Sequence, residues 1–566
     1  MDDTPMCRPW RAAVRRQVWA GASVIMAILA NAAGAHVIER VSVSSAGEQA
    51  NRASQGSAIS SDGRFIAFAS FASNLVGDDR ASFWDIFLRD RVLQTTVRVS
   101  LNSAGEEAAG DCRDPAISAD GRFVSFGSRA SNLVPDDTNG LIDIFVHNMT
   151  TGITRRVSVS STGEQANGDS VNSCISADGR FVAFESGAKN LVPDDTNKAV
   201  DIFVHDLLTG ETTRVNLSSE GQEADRPSAN PSISADGRFI VFESFARNLV
   251  PDDTNGTADI FVRDRESGVT TRVSVASGGG EAHGKSQLPS ISAEGRWVAF
   301  QSAAPDLVAG DTNEVDDVFL HDRVTRTTLR VSVDSSGGEG DLASGSPSVC
   351  EEGRFLVFQS SAHNLIPDQE AYGQNIYLHD AGTRTTIRLS SNPWGEPVSR
   401  CWYPCVSADG RFAAFESWSD RLVPDDTNET WDIFACETCP PSSWRNYGDG
   451  WPGTNGIPVL LLGGPPDLCG YTTLAIENSR GAETLGILFA GIWATEIPTM
   501  WDGTLLVQPQ RAIVFMVPPS GAVWPFFISC DDWLCHTLLR IQVLELDPGA
   551  SRGVSFSQGL ELRIGH

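Results

Sequence analysis

Four acidic loops recur along the sequence, and their side chains are of the kind that bind a hard cation. Each loop reads Asp-Asp-Thr-Asn and is followed, four residues after the Asn, by another Asp. Carboxylate and amide oxygens gathered on a loop are ligands that calcium prefers. The predicted calcium ligands are Asp136, Asp137, Asn139, Asp143, Asp194, Asp195, Asn197, Asp201, Asp252, Asp253, Asn255, Asp259, Asp425, Asp426, Asn428 and Asp432.

The same loops have a second interpretation that needs no metal. Asp, Asn and Thr side chains form turns by hydrogen-bonding the backbone close to them in sequence. None of the loops has the EF-hand spacing that ends in a Glu. Calcium is therefore the one cofactor that the sequence suggests, and plain turn formation is its alternative.

Aromatic residues are concentrated in the last third of the chain, between residues 394 and 431. Exposed aromatic rings offer a large flat surface that can stack on a ligand such as a sugar ring. We predict that Trp402, Tyr403, Trp418 and Trp431 form a ligand-binding surface. The alternative is that they pack between repeats or against the C-terminal segment.

The sequence predicts no catalytic residues. Gly549, Ser551 and Gly553 match a Gly-x-Ser-x-Gly pattern, but they lack the strand-turn-helix context of a hydrolase nucleophile. A glycan-active hydrolase or lyase would need paired carboxylates. Its candidates are Glu314, Asp316, Asp317, Glu370 and Glu429.

The elements that must position these residues belong to a repeat. A Gly that follows Asp or Glu recurs at positions 63, 121, 179, 237, 295, 353 and 410, with five intervals of 58 residues and one of 57. Seven copies of one unit at a fixed period indicate a repeat architecture in which each unit packs on its neighbours.

Each unit has the pattern of four short antiparallel strands. In the third copy these are 174–176, 181–186, 201–206 and 212–217, and a tight Asp-Gly turn joins the first two. Four such strands per period are typical of a propeller blade. The seventh copy lacks a fourth strand, whereas residues 38–43 match the fourth-strand pattern of residues 156–159. We therefore predict an all-β, seven-bladed β-propeller whose N-terminal strand closes the last blade.

The repeat Ile-Ser-Ala-Asp-Gly-Arg-Phe-x-x-Phe, followed by Asp-Ile-Phe-Val-x-Asp, resembles the TolB-like, WD-type propeller repeat of exported bacterial proteins. The resemblance covers residues 36–436 and all seven copies. TolB proteins place an α/β domain before a six-bladed propeller, and this sequence differs on both counts. The resemblance thus implies the fold but not a role in envelope assembly.

Sequence composition divides the chain further. Residues 1–35 read as a secretory signal peptide, residues 437–450 as a linker and residues 451–566 as a small β-sandwich-like domain. The signal-peptide pattern predicts an exported protein, periplasmic or extracellular, and the mature chain contains no predicted transmembrane segment. Ten of the 11 cysteines follow residue 35, and disulfides are expected in such a compartment.

Charge and loop placement lead to a hypothesis about function. The formal net charge of −29 disfavours nucleic acid as a partner, because phosphate is repelled. The loops between second and third strands, and the links between repeats, fall on one face and vary most. We expect a monomeric, non-enzymatic binding or scaffold propeller that recognises an unknown protein or glycan through this face. A glycan-active hydrolase or lyase with its site at the channel mouth is the alternative.

Overall fold

The structure is a computed structural model. It describes residues 38–77, 79, 83–366, 372–392, 396–438, 443–447, 454, 457–458, 460–462, 471–476, 478–480, 482–491, 493–498, 504–508, 511–527, 538–550, 554–557 and 559–563. The chain divides into two units, His36–Thr438 and a second that contains Cys439–His566. The signal-peptide prediction, Glu370 and Ser551 lie outside the described residues. Within the described residues, no helix is long and apolar enough to cross a membrane.

The first unit consists of seven four-stranded antiparallel sheets that follow one another along the chain. Blades 1 to 3 comprise β2 (Ser54–Ile59), β3 (Phe65–Ser70), β4 (Asp85–Asp90) and β5 (Thr95–Arg98); β6 (Cys112–Ile117), β7 (Phe123–Ser128), β8 (Asp143–Asn148) and β9 (Ile153–Arg156); and β10 (Ser170–Ile175), β11 (Phe181–Ser186), β12 (Asp201–Asp206) and β13 (Thr212–Arg214). Blades 4 to 6 comprise β14 (Ser228–Ile233), β15 (Phe239–Ser244), β16 (Asp259–Asp264) and β17 (Val269–Arg272); β18 (Ser286–Ile291), β19 (Trp297–Ser302), β20 (Asp317–Asp322) and β21 (Thr327–Arg330); and β22 (Ser344–Val349), β23 (Phe355–Ser360), β24 (Asn375–Asp380) and β25 (Thr385–Arg388). Blade 7 comprises β26 (Cys401–Val406), β27 (Phe412–Ser417), β28 (Asp432–Glu437) and the N-terminal β1 (Ile38–Arg40).

The ring closes through β1, as the sequence predicts. This strand pairs antiparallel with β28, in a register that sets Ile38 opposite Cys436 and Arg40 opposite Phe434. The N-terminal segment thereby supplies the fourth strand that the seventh repeat lacks. The predicted seven-bladed propeller, with this closure, is confirmed.

The repeated Gly is required by its backbone and by its neighbour. Gly179 has a φ of +75°, which side-chain-bearing residues rarely adopt. A Cβ built on Gly179 would lie 2.1 Å from Cδ2 of Phe123, the first residue of β7 in the preceding blade. The same contact closes the ring, where Phe412 of blade 7 packs on Gly63 of blade 1. The Gly thus fixes the packing of each blade on the next.

Each blade carries a stacked aromatic pair in its core. The two rings come from the second and third strands, with centroids about 6 Å apart, the separation of a favourable offset pair. The pairs are Phe68–Phe87, Phe126–Phe145, Phe184–Phe203, Phe242–Phe261, Phe300–Phe319, Phe358–Tyr377 and Phe415–Phe434.

The second unit is also built of strands. Its main sheet runs in the order β29 (Ser443–Tyr447), β39 (Gly559–Arg563), β37 (Leu538–Leu546), β32 (Thr484–Gly491) and β35 (Arg511–Val517), with β38 (Val554–Phe556) paired to β37. Two smaller sheets are β30 (Leu460–Leu462), β31 (Tyr471–Ile476) and β36 (Ala522–Phe527), and β33 (Trp493–Pro498) and β34 (Thr504–Gln508). Leu474 and Ile476 of β31 share one buried cluster with Val543 and Leu562 of the main sheet. Two sheets that pack across a common core form the sandwich-like unit that the sequence predicts.

The cysteines differ from the sequence-based expectation. All six described cysteines are free thiols: Cys112, Cys174, Cys350, Cys401, Cys405 and Cys436. They are spread over blades 2, 3, 6 and 7, and within blade 7 the strands β26 and β28 are separated by β27. The expected disulfides are therefore not formed among these six. Burial raises the pKa of the Cys401 and Cys436 thiols to about 12, so these thiols are protonated at neutral pH.

Candidate functional site

The antiparallel order of each blade sorts its connections onto two rims. The tight turns between first and second strands, and between third and fourth strands, lie on one rim, here the short-turn rim. The loops between second and third strands and the links between blades lie on the other, here the long-loop face. In blade 3 the long loop covers residues 187–200 and the link to blade 4 covers residues 215–227.

In blades 2, 3, 4 and 7, the predicted calcium ligands surround an arginine. Arg156 Nη1 lies 3.4 Å from Asp143 Oδ2 and 3.5 Å from Asp137 Oδ1. The same arrangement recurs with Arg214 between Asp195 and Asp201, Arg272 between Asp253 and Asp259, and Arg40 between Asp426 and Asp432. The arginine is the last residue of the blade's outermost strand, and its guanidinium supplies the positive charge among the carboxylates.

The Asn of each loop has its oxygen turned away from the cluster. Asn139 donates from Nδ2 to Asp143 Oδ2 at 2.9 Å, and its Oδ1 accepts the N–H of Leu141 at 2.9 Å. Asn197, Asn255 and Asn428 repeat both hydrogen bonds. These are the contacts of a turn-forming Asn rather than of a metal ligand.

The first Asp of the loop joins the cluster with its side chain in blade 7, where Asp425 Oδ1 lies 3.5 Å from Arg40 Nη2, but not in blades 2, 3 and 4. Asp136, Asp194, Asp252 and Asp425 are exposed. Asp136 contributes only its backbone carbonyl, which accepts a hydrogen bond from Arg156 Nη2 at 3.2 Å. The structure thus brings together two of the four predicted ligands around the arginine in blades 2, 3 and 4, and three of the four in blade 7. Calcium at these loops stays a prediction, and the geometry favours the turn alternative.

A glutamate from the following link completes some clusters, and the sequence analysis did not single it out. Oxygens of Asp253, Asp259 and Glu281 lie within 4.8 Å of one another, as do those of Asp79, Asp85 and Glu107 in blade 1. Arg272 Nη1 lies 2.7 Å from Glu281, and Arg98 Nη1 lies 3.0 Å from Glu107. The sequence could have indicated this contact, because both the arginine of the outermost strand and the residue of the link recur at the repeat period.

Burial and mutual repulsion perturb these carboxyl groups. Burial, and then repulsion by Asp259, raises the pKa of Asp253 to about 6. Burial likewise raises the pKa of Asp85 to about 7 and that of Asp432 to about 6. Hydrogen bonds from Ser100 and Ser42 oppose the shifts at Asp85 and Asp432, respectively.

The predicted aromatic residues do come together on the long-loop face of blade 7. The rings of Trp402 and Trp431 have centroids 4.8 Å apart, and Trp418 stacks on Trp431 at 6.2 Å and 24°. Trp418 is 47% exposed, and its Nε1 donates to the carbonyl of Glu429 at 2.9 Å. Tyr403 follows Trp402 on the innermost strand and is 59% exposed. We call Trp402, Trp418 and Trp431 the tryptophan cluster.

The innermost strands carry a ring of strained residues that the sequence analysis missed. Each first strand has an irregularity in its pairing, and the residue there has a positive φ of 47–62°. The ring consists of Gly56, Asp114, Asn172, Asn230, Leu288, Ser346 and Tyr403. Positive φ is costly for bulky residues such as Leu and Tyr, so the surrounding structure must hold it. The sequence does contain a signal for this irregular position, because the residue there is followed by Pro in five of the seven repeats.

Most of these residues donate their backbone N–H to a side-chain carboxylate or amide oxygen of the preceding blade. Glu185, Glu243 and Glu416 accept the N–H of Asn230, Leu288 and Gly56 at 2.9–3.0 Å. Gln301 and Gln359 accept the N–H of Ser346 and Tyr403.

The inner-strand carboxylates are themselves perturbed. Burial raises the pKa of Glu416 to about 7. Burial also raises the pKa of Glu185, and the neighbouring Glu243 and Asp114 add to that shift. The inner wall thus holds one carboxyl group, that of Glu416, whose pKa of about 7 is in the range of general acids and bases.

The described carboxylates named for a hydrolase are divided between two blades, with Glu314, Asp316 and Asp317 in blade 5 and Glu429 in blade 7. Glu314 and Glu429 follow the loop Asn in blades 5 and 7, so they lie in different blades. Asp317 is buried and accepts hydrogen bonds from Asn313 and Arg330. These contacts give Asp317 the same structural role as the equivalent Asp in the other blades.

Comparison with known proteins finds distant structural similarities. No protein-family model matches the chain, and no curated protein matches it. The chain is similar to a protein of Agrobacterium tumefaciens described as TolB, with 16% identity, a TM-score of 0.34 and coverage of 62% of this chain and 97% of that chain. It is also similar to the WD40 repeats of RRP9, with 10% identity, a TM-score of 0.38 and coverage of 72% and 99%. A match to the tricorn protease has 10% identity and a TM-score of 0.23, and it covers 88% of this chain but 44% of that chain. The resemblance to TolB- and WD-type propellers is thus found again among solved structures, at similarities too low to carry an argument about function.

Proposed function

We propose that this protein is an exported, monomeric binding or scaffold propeller that recognises a protein or glycan through the long-loop face, centred on the tryptophan cluster. The observation that carries the proposal is the break in sevenfold equivalence at blade 7. The residue that directly follows the second strand is Arg129, Gly187, Ala303 and Ser361 in blades 2, 3, 5 and 6, and Phe71 and Phe245 in blades 1 and 4. In blade 7 it is Trp418, which forms a cluster with two further tryptophans, Trp402 and Trp431. Four blades have no aromatic residue at this position, so the packing of the repeat does not require one, and clustered exposed aromatic groups dominate binding surfaces.

The rest of the molecule is consistent with a binding role. The ring of positive-φ residues keeps its backbone conformation in every blade, yet its side chains differ from Gly to Asp, Leu and Tyr. A constant scaffold with a variable inner surface is typical of a recognition site. The closed ring needs no strand from a second copy, which supports a monomer. The signal-peptide pattern of residues 1–35 supports export.

Substituting Trp418 tests the proposal. Mature protein, Trp418→Ala and Phe245→Ala are compared by affinity electrophoresis on soluble polysaccharides and by binding to arrayed peptides. Phe245 is the matched control, because it occupies the equivalent position in blade 4 and is 43% exposed. We expect Trp418→Ala to weaken binding of the captured probe about tenfold or more, the effect of a hot-spot residue. Equal loss in both variants, or loss in Phe245→Ala alone, would place the site elsewhere.

One observation favours the enzymatic alternative. Glu416, whose pKa burial raises to about 7, lies directly opposite Trp402 in the pairing of β26 with β27. A protonatable carboxyl beside a sugar-stacking surface is the arrangement that a glycan-active hydrolase or lyase needs. The polysaccharide panel also tests this second candidate, because an enzyme would shorten a polymer and Glu416→Gln would abolish the shortening while retaining the hydrogen bond to Gly56.

A further inference from the structure

The tryptophan cluster continues into blade 1. Phe71 and Trp84 occupy the places equivalent to Trp418 and Trp431, and their rings stack at 5.9 Å and 27°. The two aromatic groups are joined through the backbone between them. The carbonyl of Trp431 accepts the N–H of Ser54 at 2.7 Å, and the carbonyl of Ala53 accepts the N–H of Phe71 at 2.9 Å.

Three arginines lie on these rings. The guanidinium carbon of Arg113 is 4.2 Å from the ring centroid of Trp84, that of Arg52 is 4.9 Å from Phe71, and that of Arg400 is 5.5 Å from Trp418. All three arginines are exposed. We call Phe71, Trp84, the tryptophan cluster and these three arginines the aromatic–arginine strip.

The three guanidiniums form no ion pair within the described residues, although Asp114 interacts electrostatically with Arg113 and Asp111 accepts the backbone N–H of Trp84 at 2.9 Å. None of the three guanidiniums has a described carboxylate oxygen within 4.0 Å. The arginines of the acidic loops on the same face, such as Arg98 and Arg272, each lie against three carboxylates. In a chain of net charge −29, this strip is a local cationic surface with its N–H groups available.

We propose that the aromatic–arginine strip binds an acidic polysaccharide, with sugar rings on the exposed aromatic groups and sugar carboxylates on the guanidiniums. This inference rests on the proposed function and names the ligand class for the same face. A guanidinium held flat on a ring keeps its planar fork of N–H donors, which matches a carboxylate. Overall repulsion of a polyanion is screened beyond about 10 Å at physiological salt, so the adjacent arginines dominate.

A sugar polymer fits the strip better than an acidic peptide. The flat C–H face of a sugar ring can stack on Trp418, whereas Asp and Glu side chains offer no such face. The strip also extends across two neighbouring blades, so that a chain of several sugar units can contact both groups of rings. The acidic peptide becomes an outcome of the test.

The test measures binding of the full mature chain to polygalacturonate, to a neutral galactan and to poly-glutamate by isothermal titration calorimetry at two salt concentrations. The variants are Arg52→Gln/Arg113→Gln and Trp418→Ala. Arg247→Gln is the control, because it removes an exposed arginine from the long-loop face of blade 4. Circular dichroism and thermal unfolding establish that each variant is folded.

We expect polygalacturonate to bind more tightly than the neutral galactan or poly-glutamate. The double arginine variant should lose about tenfold or more in affinity and some of the salt dependence, and Arg247→Gln should bind like the wild type. Tight binding of the neutral galactan that depends on Trp418 alone would overturn the acidic ligand and leave the proposed function standing. Poly-glutamate binding as tight as polygalacturonate would overturn the glycan class. Polygalacturonate binding that none of the strip substitutions changes would overturn the strip as the site.

Discussion

At the scale of single residues, the main finding is that an arginine guanidinium lies among the carboxylates of each acidic loop. Asp253, Asp259 and Glu281 lie around Arg272, with side chains that are at most 13% exposed. Burial, and then repulsion by Asp259, raises the pKa of Asp253, so the ionised cluster is costly without a positive charge beside it. The positive charge of Arg272 stabilises the ionised carboxylates around it. Replacing Arg272 therefore tests how the acidic loop behaves without that charge.

Arg272→Gln should therefore lower stability and create calcium dependence. Leaving buried charges without their partner costs about 3–5 kcal/mol, and the freed carboxylates are of the kind that calcium binds. Thermal unfolding with millimolar calcium and with chelator should show a lower midpoint for the variant, raised by calcium more than in the wild type.

Lys285→Gln is the control, because it removes one positive charge from an exposed side chain close in sequence. It should change neither the midpoint nor the effect of calcium. A midpoint of the wild-type protein that rises by several degrees with calcium would instead support the calcium interpretation of the loops.

At the scale of the elements, four of the third strands carry a buried histidine. His147, His205, His321 and His379 each lie 2.8–2.9 Å from a Thr hydroxyl of the fourth strand through Nδ1. That hydroxyl donates to a backbone carbonyl in every case. The histidine Nδ1 is therefore the donor to the Thr. Burial lowers the pKa of His321 and His379 to about 4.

His379→Gln should make the protein less sensitive to acid. The pKa of His379 is about 4 in the folded state and about 6.5 in the unfolded chain, so between these values the unfolded chain binds more protons. Stability contributed by the neutral histidine is thus lost as pH falls from about 6.5 to 4, by up to about 3 kcal/mol per group. Urea unfolding at pH 7 and pH 4.5 should show a smaller loss of unfolding free energy in the variant than in the wild type.

His283 provides the opposite case. It is exposed, and a hydrogen bond with Asp306 raises its pKa. Because its protonated form is favoured in the folded state, His283→Gln should slightly increase the acid loss. An identical pH dependence in wild type and His379→Gln would contradict the account of the buried histidines.

The strands and their ring closure could be predicted from the sequence, because each signal is local or periodic. The Asp-Gly turn, the 58-residue spacing and the match of residues 38–43 to a fourth strand all lie in short segments. The partners of the acidic loops could not be read in the same way. Arg156 follows Asp137 by 19 residues and belongs to the outer strand, so only the folded blade brings the two together. No disulfide forms among the six described cysteines, which lie in separate blades or within blade 7 on β26 and β28, which are not adjacent.

At the scale of the whole molecule, the blades share a set of structural features, and blades 7 and 1 differ from the others by additional aromatic residues. The shared features are the Gly turns, the stacked aromatic pairs of the core and the acidic loops that contain an arginine. The departures lie on the long-loop face: Trp402, Trp418 and Trp431 in blade 7, and Phe71 and Trp84 in blade 1. A repeat scaffold needs neither group for its own packing, which is why we assign recognition to this part of the ring.

Oxidative footprinting of the wild-type protein tests this assignment most directly. Hydroxyl-radical labelling with and without the bound polysaccharide or peptide probe reports which exposed side chains the probe covers. The account predicts protection of Trp418 and Tyr403, with no change at Phe245 on blade 4 or at Leu208 on the short-turn rim, which are also exposed. Protection of Phe245 or Leu208 with Trp418 still labelled would contradict it.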